Sequence, residues 1–174
     1  MTNSFYLADA VCVDGESYLI HTDYRTWIGF EIIMSSDMSF FEKCIRAIKL
    51  CYIELPPRLD AGIGALMDFY SLGEKKRNHK VSKPLFDFEK DFGYIYASFA
   101  KEYNIDLFEE NIHWHKFMYL LRSLGDECIF KKIISYRGAD INKIKDKNQK
   151  AFIRRMKHLY ALDMGEYADL SDAF

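Results

Sequence analysis

Apolar side chains recur at intervals of three and four residues through most of the chain from Asp23 onward. This spacing sets them along one face of an α-helix, whereas a strand would show alternation every second residue. The longest stripe predicts a helix that Asp37 or Ser39 caps and that Pro56-Pro57 stops, because the residue before a proline is displaced from the α region. Its members are Phe41, Cys44, Ile45, Ile48, Cys51, Tyr52 and Leu55.

Further segments with the same spacing predict helices over most of the remaining chain. They begin after Asp23, near residue 58, near residue 87, at Asp106 or Glu109, after Asp126 and near residue 147. The N-terminal pattern differs: residues 10–13 and 17–21 flank Asp14-Gly15, a turn sequence typical of a β-hairpin. The predicted fold class is therefore mainly α, with six or seven packed helices and a small N-terminal β-hairpin.

A length of 174 residues is compatible with one hydrophobic core, and no internal repeat divides the chain. We therefore expect a single domain over residues 1–174. Within it, the hairpin covers residues 10–21, a helical body covers 23–162 and an acidic tail covers 163–174. The segment 73–84 is rich in Lys and Arg and is expected to be an exposed basic loop.

The net charge of −2 conceals an uneven distribution of charge along the chain. Residues 1–42 hold seven acids and one base, whereas residues 131–158 hold ten bases and two acids. The tail after residue 162 adds four acids. A basic block between acidic ends is able to bind an anionic partner, the chain's own ends or a second copy.

Two basic segments are the candidate partner-binding sites. One lies on the predicted loop 73–84 and the other on the last predicted helix, and for both the alternative is a face that is merely solvated. A nucleic acid is the less favoured partner, because the sequence pI is about 6.2 and no zinc, KH or RRM signature accompanies the bases. The candidate residues are Lys75, Lys76, Arg77, Lys80, Lys147, Lys150, Arg154 and Arg155.

The decapeptide IHWHKFMYLL, residues 112–121, places two histidines on either side of a tryptophan. On a helix, His113 and His115 would point about 200° apart and would not share a metal ion. The carboxylate pairs Glu109-Glu110 and Asp126-Glu127 are expected at helix starts, where acids favour the helix dipole. Because the chain also has no phosphate-binding glycine loop and no nucleophile elbow, we predict no catalytic, cofactor-binding or metal-binding residue, and no enzyme.

The candidate structural residues are Trp27, Trp114, Phe117 and Arg137. The three aromatic residues lie on apolar helix stripes, which predicts that their rings are buried. Arg137 is expected to pair with a nearby acid, Asp140 or Asp146, and so to fix the junction between two helices.

The four cysteines form no CxxC pair, and the chain opens without a basic, apolar signal peptide. No stretch of about 18 consecutive apolar residues occurs, so no membrane partner is expected. These features predict a reduced protein of the cytoplasm.

Four stretches together resemble a family of small proteins encoded in the tail-morphogenesis region of tailed phages and prophages of Gram-positive bacteria. The resemblance covers residues 18–162 and lies in the spacing of Trp, Tyr, Arg and Asp residues. At the position of His115 the family more often has a second tryptophan. The stretches are HTDYRTWIGFEIIM (21–34), FDFEKDFGYIYASFAKEYNIDL (86–107), IHWHKFMYLLRSL (112–124) and ISYRGADINKIKDKNQKAFIRRMKHLYAL (134–162).

The resemblance implies a non-catalytic tail assembly chaperone of the bacterial host cytoplasm, because such genes typically stand just before the tape-measure gene. Its expected partners are the tape-measure protein, which it would keep soluble, and the tail-tube protein. Two alternatives are a structural tail or connector component of the virion and a nucleic-acid-binding regulator that uses residues 131–158. Self-association through an unpaired hairpin edge is a further expectation.

Overall fold

A computed structural model describes residues 6–74 and 84–162 of the chain. The chain forms two compact units: unit 1 contains Met1–Val81 and Leu107–Ser123, and unit 2 contains Ser82–Asp106 and Leu124–Phe174. The described residues contain one two-stranded antiparallel sheet and seven α-helices. The prediction of a mainly α fold with a small N-terminal hairpin is confirmed, and the prediction of a single domain stays a prediction.

The helices are distributed between the two units. Unit 1 contains α1, α2, α3 and α5, and unit 2 contains α4, α6 and α7. In chain order they are α1 (Tyr24–Ser35), α2 (Phe40–Cys51), α3 (Leu59–Tyr70), α4 (Phe88–Tyr103), α5 (Trp114–Ser123), α6 (Ile129–Gly138) and α7 (Lys147–Leu159).

Unit 1 begins with the hairpin, whose strands are β1 (Ala10–Val13) and β2 (Glu16–Leu19). Asp14 and Gly15 in the turn have φ angles of 52° and 88°, the positive values that a tight two-residue hairpin turn requires. A third extended segment pairs with the chain at the end of β2. Ile20 forms a bridge with Tyr52, and the Ile53 N–H donates to the Leu19 carbonyl over 3.1 Å. The end of this hairpin edge, at Leu19 and Ile20, is therefore paired within the same chain.

The apolar stripe of α2 is shorter than the sequence predicts. The helix ends at Cys51, because the backbone of Tyr52 becomes extended, at φ −86° and ψ 140°, where it pairs with Ile20. Phe41 and Leu55, at the two ends of the predicted stripe, are both exposed. Their assignment to the packed face is wrong. Leu55 lies beyond the end of the helix, because pairing of Tyr52 with a distant segment has overridden the local helix spacing, and Phe41 lies in the first turn of α2.

Helix α5 also begins later than predicted, at Trp114 and not near Asp106 or Glu109. The residues before it are held extended against the start of α1: the Tyr24 N–H donates to the Ile112 carbonyl over 2.8 Å, and the Trp114 N–H donates to the Thr22 carbonyl over 2.7 Å. The pair Glu109-Glu110 therefore precedes this extended segment, and its predicted place at a helix start is wrong.

In unit 2, α6 packs against α4 and α7 packs against α6. Asp87 caps α4 by accepting hydrogen bonds from the Glu89 and Lys90 N–H groups, and Asn104 ends it in the left-handed conformation, at φ 53°. Cys128, and not Asp126, is the N-cap of α6. The largest fully buried side chains of this unit are Ile95, Phe99, Phe130 and Ile133.

Candidate protein-binding surfaces

Half of the predicted partner-binding residues are described by the structure. Lys75, Lys76, Arg77 and Lys80, on the predicted basic loop, lie outside the described residues, as does the acidic tail 163–174. The other four predicted residues belong to α7, where Lys147, Arg154 and Arg155 are exposed and Lys150 is half-buried.

We call these four α7 residues the basic face. Lys147, Lys150 and Arg154 follow one another at steps of three and four, which places their side chains on one side of the helix. Within the described residues, none of the four side chains is joined to a carboxylate by an ion pair. Three of the four side chains are exposed, so the basic face is a concentration of positive charge on the surface of α7.

The α7 helix also carries an apolar edge, which lies next to Arg155 and on the side of the helix opposite Lys147, Lys150 and Arg154. Phe152 and Leu159, seven residues apart and so on the same side of the helix, are 49% and 50% exposed, and Arg155 lies between them. No residue of α7 is buried. Asp146 caps the helix start, and Lys157 donates to the Ala139 carbonyl over 2.9 Å near its other end. An ordered helix with both cations and half-exposed apolar residues is suited to a protein partner.

The second surface lies where α1 ends and α2 begins, and we call it the apolar tip. Phe40 and Phe41, in the first turn of α2, are 70% and 71% exposed, although side chains of this size are usually covered. Ile32 near the end of α1 is exposed too, while Met34 and Met38 are half-buried. The apolar tip consists of Ile32, Met34, Met38, Phe40 and Phe41.

Local hydrogen bonds hold the apolar tip in place. Ser39 and Glu42 form a capping box: the Ser39 hydroxyl accepts from the Glu42 N–H over 3.3 Å, and the Glu42 carboxylate accepts from the Ser39 N–H over 3.1 Å. Lys43 of α2 donates to the Met34 carbonyl of α1 over 3.0 Å. The two phenylalanines are therefore displayed from a fixed helix start, which reduces the conformational entropy that a partner must remove on binding.

Sequence reasoning missed the apolar tip because it placed Phe41 on a packed stripe and gave Phe40 no role. A signal was nevertheless present in Ser39-Phe40-Phe41-Glu42, which has the S-x-x-E pattern of a capping box. That pattern fixes the first turn of α2 immediately after a short connection. A first turn next to a chain reversal lies at the end of a helix pair, where fewer neighbours cover its side chains.

The predicted structural tryptophans lie in the core of unit 1. Trp27, Trp114 and Phe117 have no exposed surface. The indole N–H of Trp27 donates to the His21 carbonyl over 2.8 Å, and that of Trp114 donates to the Tyr70 carbonyl over 3.0 Å. Each ring thus combines an apolar body with a satisfied polar atom, which is what burial of a tryptophan requires.

Arg137 does not form the ion pair that was predicted. Its guanidinium donates two hydrogen bonds to the carboxylate of Asp91 on α4, over 2.6 and 2.8 Å, and Asp91 is 1% exposed. The predicted partners act as caps: Asp140 accepts from the Asn142 N–H and Asp146 accepts from the Gln149 N–H. Arg137 therefore joins α6 to α4 through a buried bidentate pair.

An open cleft of about 160 Å³ lies beside this ion pair in unit 2. Its cations are already engaged by the main chain. Arg137 donates to the Tyr160 carbonyl, and Lys90 donates to the Leu162 carbonyl over 2.8 Å. The cleft is therefore the place where two basic side chains hold the segment that follows α7.

His113 and His115 are closer together than a shared helix would place them. His113 precedes α5 and is extended, so the predicted separation of about 200° is wrong. Their ring centroids are 5.1 Å apart, and Nδ1 of His113 accepts a hydrogen bond from the His115 N–H over 3.1 Å. His113 thus acts in the manner of a helix N-cap.

The outer nitrogens of both histidines bond to the main chain. Nε2 of His113 donates to the Ala8 carbonyl over 2.9 Å, and Nε2 of His115 donates to the Phe69 carbonyl over 2.8 Å, since a carbonyl only accepts. Burial lowers the pKa of His115, and the neighbouring His113 adds to this effect, whereas the hydrogen bond to Phe69 opposes it. Both imidazoles tie α5 to other segments of unit 1.

Other groups with reactive potential are dispersed. Burial raises the pKa of the Cys51 thiol to about 12, so this thiol is protonated at neutral pH. Among residues 6–74 and 84–162, no three His, Cys, Asp or Glu side chains gather in a way that could hold a metal ion. In the same ranges, no helix is long and apolar enough to cross a membrane.

The fold is that of a mainly helical protein with two exposed surfaces that combine apolar and charged side chains. The chain belongs to the Bacteriophage Gp15 protein family, whose model matches residues 6–162. Membership in this family suggests a structural or morphogenetic role in a bacteriophage. No curated protein and no solved structure matches the chain.

Proposed function

We propose that this protein is a non-catalytic tail assembly chaperone that binds the tape-measure protein during phage tail morphogenesis, in the cytoplasm of the bacterial host. The observation that carries the proposal is the exposure of Phe40 and Phe41 on the apolar tip. The membership of the chain in a bacteriophage protein family supports a role in phage assembly. The tail-tube protein is the second proposed partner.

The chemistry of the apolar tip fits an amphipathic helix as its ligand. A tape-measure protein is long and prone to form coiled coils, so its helices carry apolar stripes that aggregate when they are uncovered. Full transfer of a phenylalanine side chain from water to an apolar contact is favourable by about 1.5–3 kcal/mol, and the entropy lost on association offsets part of this gain. The flexible side chains of Met34 and Met38 are able to repack around stripes of different sequence, as a chaperone with an extended client requires.

Co-expression with a tape-measure fragment tests this proposal. The wild-type chain is expected to keep the fragment in the soluble fraction, and the F40S/F41S variant is expected to leave it in the pellet. A matched control is I53S/L55S, which removes two exposed apolar residues away from the apolar tip and should protect the fragment as the wild type does. Equal protection by wild type and F40S/F41S would refute the role of the apolar tip.

A structural component of the tail or connector is the second candidate, and family membership favours it equally. The two proposals differ in the fate of the protein. An assembly chaperone is released before the particle is complete, whereas a component remains in it. Mass spectrometry of purified virions decides between them, because a stoichiometric amount of the chain in the particle would exclude the chaperone.

The basic face of α7 favours a third candidate, a regulator that binds nucleic acid. Such binding depends on phosphate contacts and weakens steeply as salt rises. We expect no shifted DNA band for the wild-type chain at physiological salt. A shifted band that disappears both at higher salt and in the R154E/R155E variant would favour the regulator.

A further inference from the structure

The apolar tip and the α7 helix have complementary chemistry. The apolar tip lies within the acidic part of the chain, where residues 6–42 hold seven acids and one base. Of these acids, Asp37 and Glu42 are exposed and belong to the connection and first turn that display the two phenylalanines. The hydrogen bond from Ser39 lowers the pKa of Glu42, so this carboxylate is charged at neutral pH.

The α7 helix presents the opposite charge beside its own apolar residues. Phe152 and Leu159 stand two helical turns apart, which corresponds to about 10.5 Å along the helix axis. Arg155 lies between them on the same side of the helix and is exposed. This length of helix is sufficient to receive two adjacent aromatic rings, and Arg155 then faces the acids that flank those rings.

We infer that the apolar tip of one copy of the chain docks against the apolar edge of α7 and the adjoining Arg155 in a second copy. Each surface is exposed in the single chain, so both are open to another molecule. At the centre of the contact, Phe40 and Phe41 meet Phe152 and Leu159. At its rim, the Arg155 guanidinium meets carboxylates of the acidic segment. This is the arrangement of an apolar centre and polar border found in stable protein interfaces.

The two halves of this contact are different surfaces, so the association is head-to-tail. A head-to-tail contact leaves one apolar tip and one α7 free in a dimer, and those free surfaces add further copies until a ring closes or a chain of copies extends. The association is therefore expected to grow with protein concentration and to weaken as salt screens the arginine–carboxylate contacts.

Self-association would cover the same apolar tip that we propose as the tape-measure site. This consequence rests on the proposed function, whereas the association itself rests only on the two surfaces. A free chaperone would then keep its phenylalanines covered by other copies, and an amphipathic client helix would displace those copies. Client binding and self-association are expected to be mutually exclusive at each apolar tip.

The head-to-tail geometry allows a complementation experiment with two variants. F40S/F41S lacks the apolar tip and keeps α7 intact, and R154E/R155E keeps the apolar tip and reverses charge on α7. In sedimentation velocity measurements, the wild-type chain is expected to form species larger than its 20.5 kDa monomer. Each variant alone is expected to associate at least about tenfold more weakly than the wild type, because removal of central interface groups typically has at least this effect.

An equimolar mixture of the two variants is the decisive sample. The intact apolar tip of R154E/R155E meets the intact α7 of F40S/F41S, so the mixture should form 1:1 dimers of twice the monomer mass and nothing larger. The I53S/L55S control should associate as the wild type does. Far-ultraviolet circular dichroism verifies that each variant retains the helical content of the wild type, and R154Q/R155Q replaces R154E/R155E if that variant loses helix.

Three results would overturn the inference: a wild-type chain that is monomeric at every concentration, a mixture that stays monomeric although both variants fold, or a variant that associates as strongly as the wild type. The solubility assay of the tape-measure fragment tests the proposed chaperone function independently of self-association. A monomeric wild-type chain that still protects the fragment through Phe40 and Phe41 refutes only the self-association. An associating chain that fails to protect the fragment refutes only the chaperone proposal.

Discussion

Helix α5 of unit 1 and helix α6 of unit 2 are anchored by different kinds of chemistry. The anchor of α5 is Trp114, which has no exposed surface and stacks with the ring of Tyr70 at 5.2 Å. The anchor of α6 is Arg137, whose guanidinium is bound by the buried carboxylate of Asp91. An apolar anchor gains from every neighbour it touches, whereas a buried ion pair leaves an uncompensated charge when one partner is removed.

The largest expected effect removes the apolar anchor. We expect Trp114→Ala to lower the free energy of unfolding by about 3–5 kcal/mol, because it leaves a large cavity and an unpaired Tyr70 carbonyl. Urea denaturation followed by circular dichroism measures this. Lys116→Ala, an exposed position on the same helix, is the control and should change stability little. A near-unchanged transition for Trp114→Ala would contradict the burial of the ring.

The charged anchor should behave differently when one or both partners are removed. We expect Arg137→Met to cost about 3 kcal/mol, because it leaves the Asp91 carboxylate buried without its cation. The double variant R137M/D91L removes both charges and should recover most of that loss. If the double variant is as unstable as the sum of the two single changes, Arg137 and Asp91 do not act as a pair.

A smaller effect is expected where a side chain caps a helix without anchoring it. Ser39→Ala removes the hydroxyl from the capping box of α2 and should lower the free energy of unfolding by about 1 kcal/mol. It should also weaken binding of a tape-measure fragment, because the start of α2 that displays Phe40 and Phe41 becomes less ordered. Ser35→Ala at an exposed helical position is the control for both measurements.

The smallest expected effect is a dependence of the free energy of unfolding on pH, which arises from His115 in unit 1. Burial lowers the pKa of His115 below its unfolded value, so the unfolded chain binds the proton more tightly. The contribution of the neutral imidazole is fully present above the unfolded pKa of about 6.5 and is lost as pH falls from there through the folded pKa.

The difference between wild type and His115→Gln isolates this contribution. Denaturation at several pH values gives the free energy of unfolding as a function of pH. On the acidic side of neutrality this free energy should fall more steeply with decreasing pH for the wild type than for the variant. At higher pH the two curves should run parallel. An identical slope for both proteins throughout would show that His115 does not titrate differently in the folded and unfolded states.

The apolar parts of the fold follow from local sequence, and the polar parts depend on distant segments. Helix spacing predicts a helix around Trp27 and another that ends at Asn104, and the turn Asp14-Gly15 predicts the hairpin, because each signal lies within a few neighbouring residues. The end of α2 was predicted wrongly, since Tyr52 leaves the helix to pair with Ile20. Local spacing contains no information about that pairing.

The same distinction applies to the candidate sites. The basic face was predictable because Lys147, Lys150 and Arg154 are close in sequence and share one helix side. The partner of Arg137 was not, because Asp91 lies 46 residues away on another helix, and nearer acids were equally plausible on sequence grounds. The apolar tip was missed since exposure of Phe41 depends on where the packed core ends, which periodicity alone does not determine.

The most direct test of the account is a calorimetric titration of a tape-measure fragment into the folded chain at several temperatures. Burial of the rings of Phe40 and Phe41 predicts saturable binding with a negative heat-capacity change. In F40S/F41S both the affinity and the heat-capacity change should fall, and in I53S/L55S both should equal those of the wild type. Binding that is unchanged in F40S/F41S would contradict the central claim that this protein acts through its apolar tip.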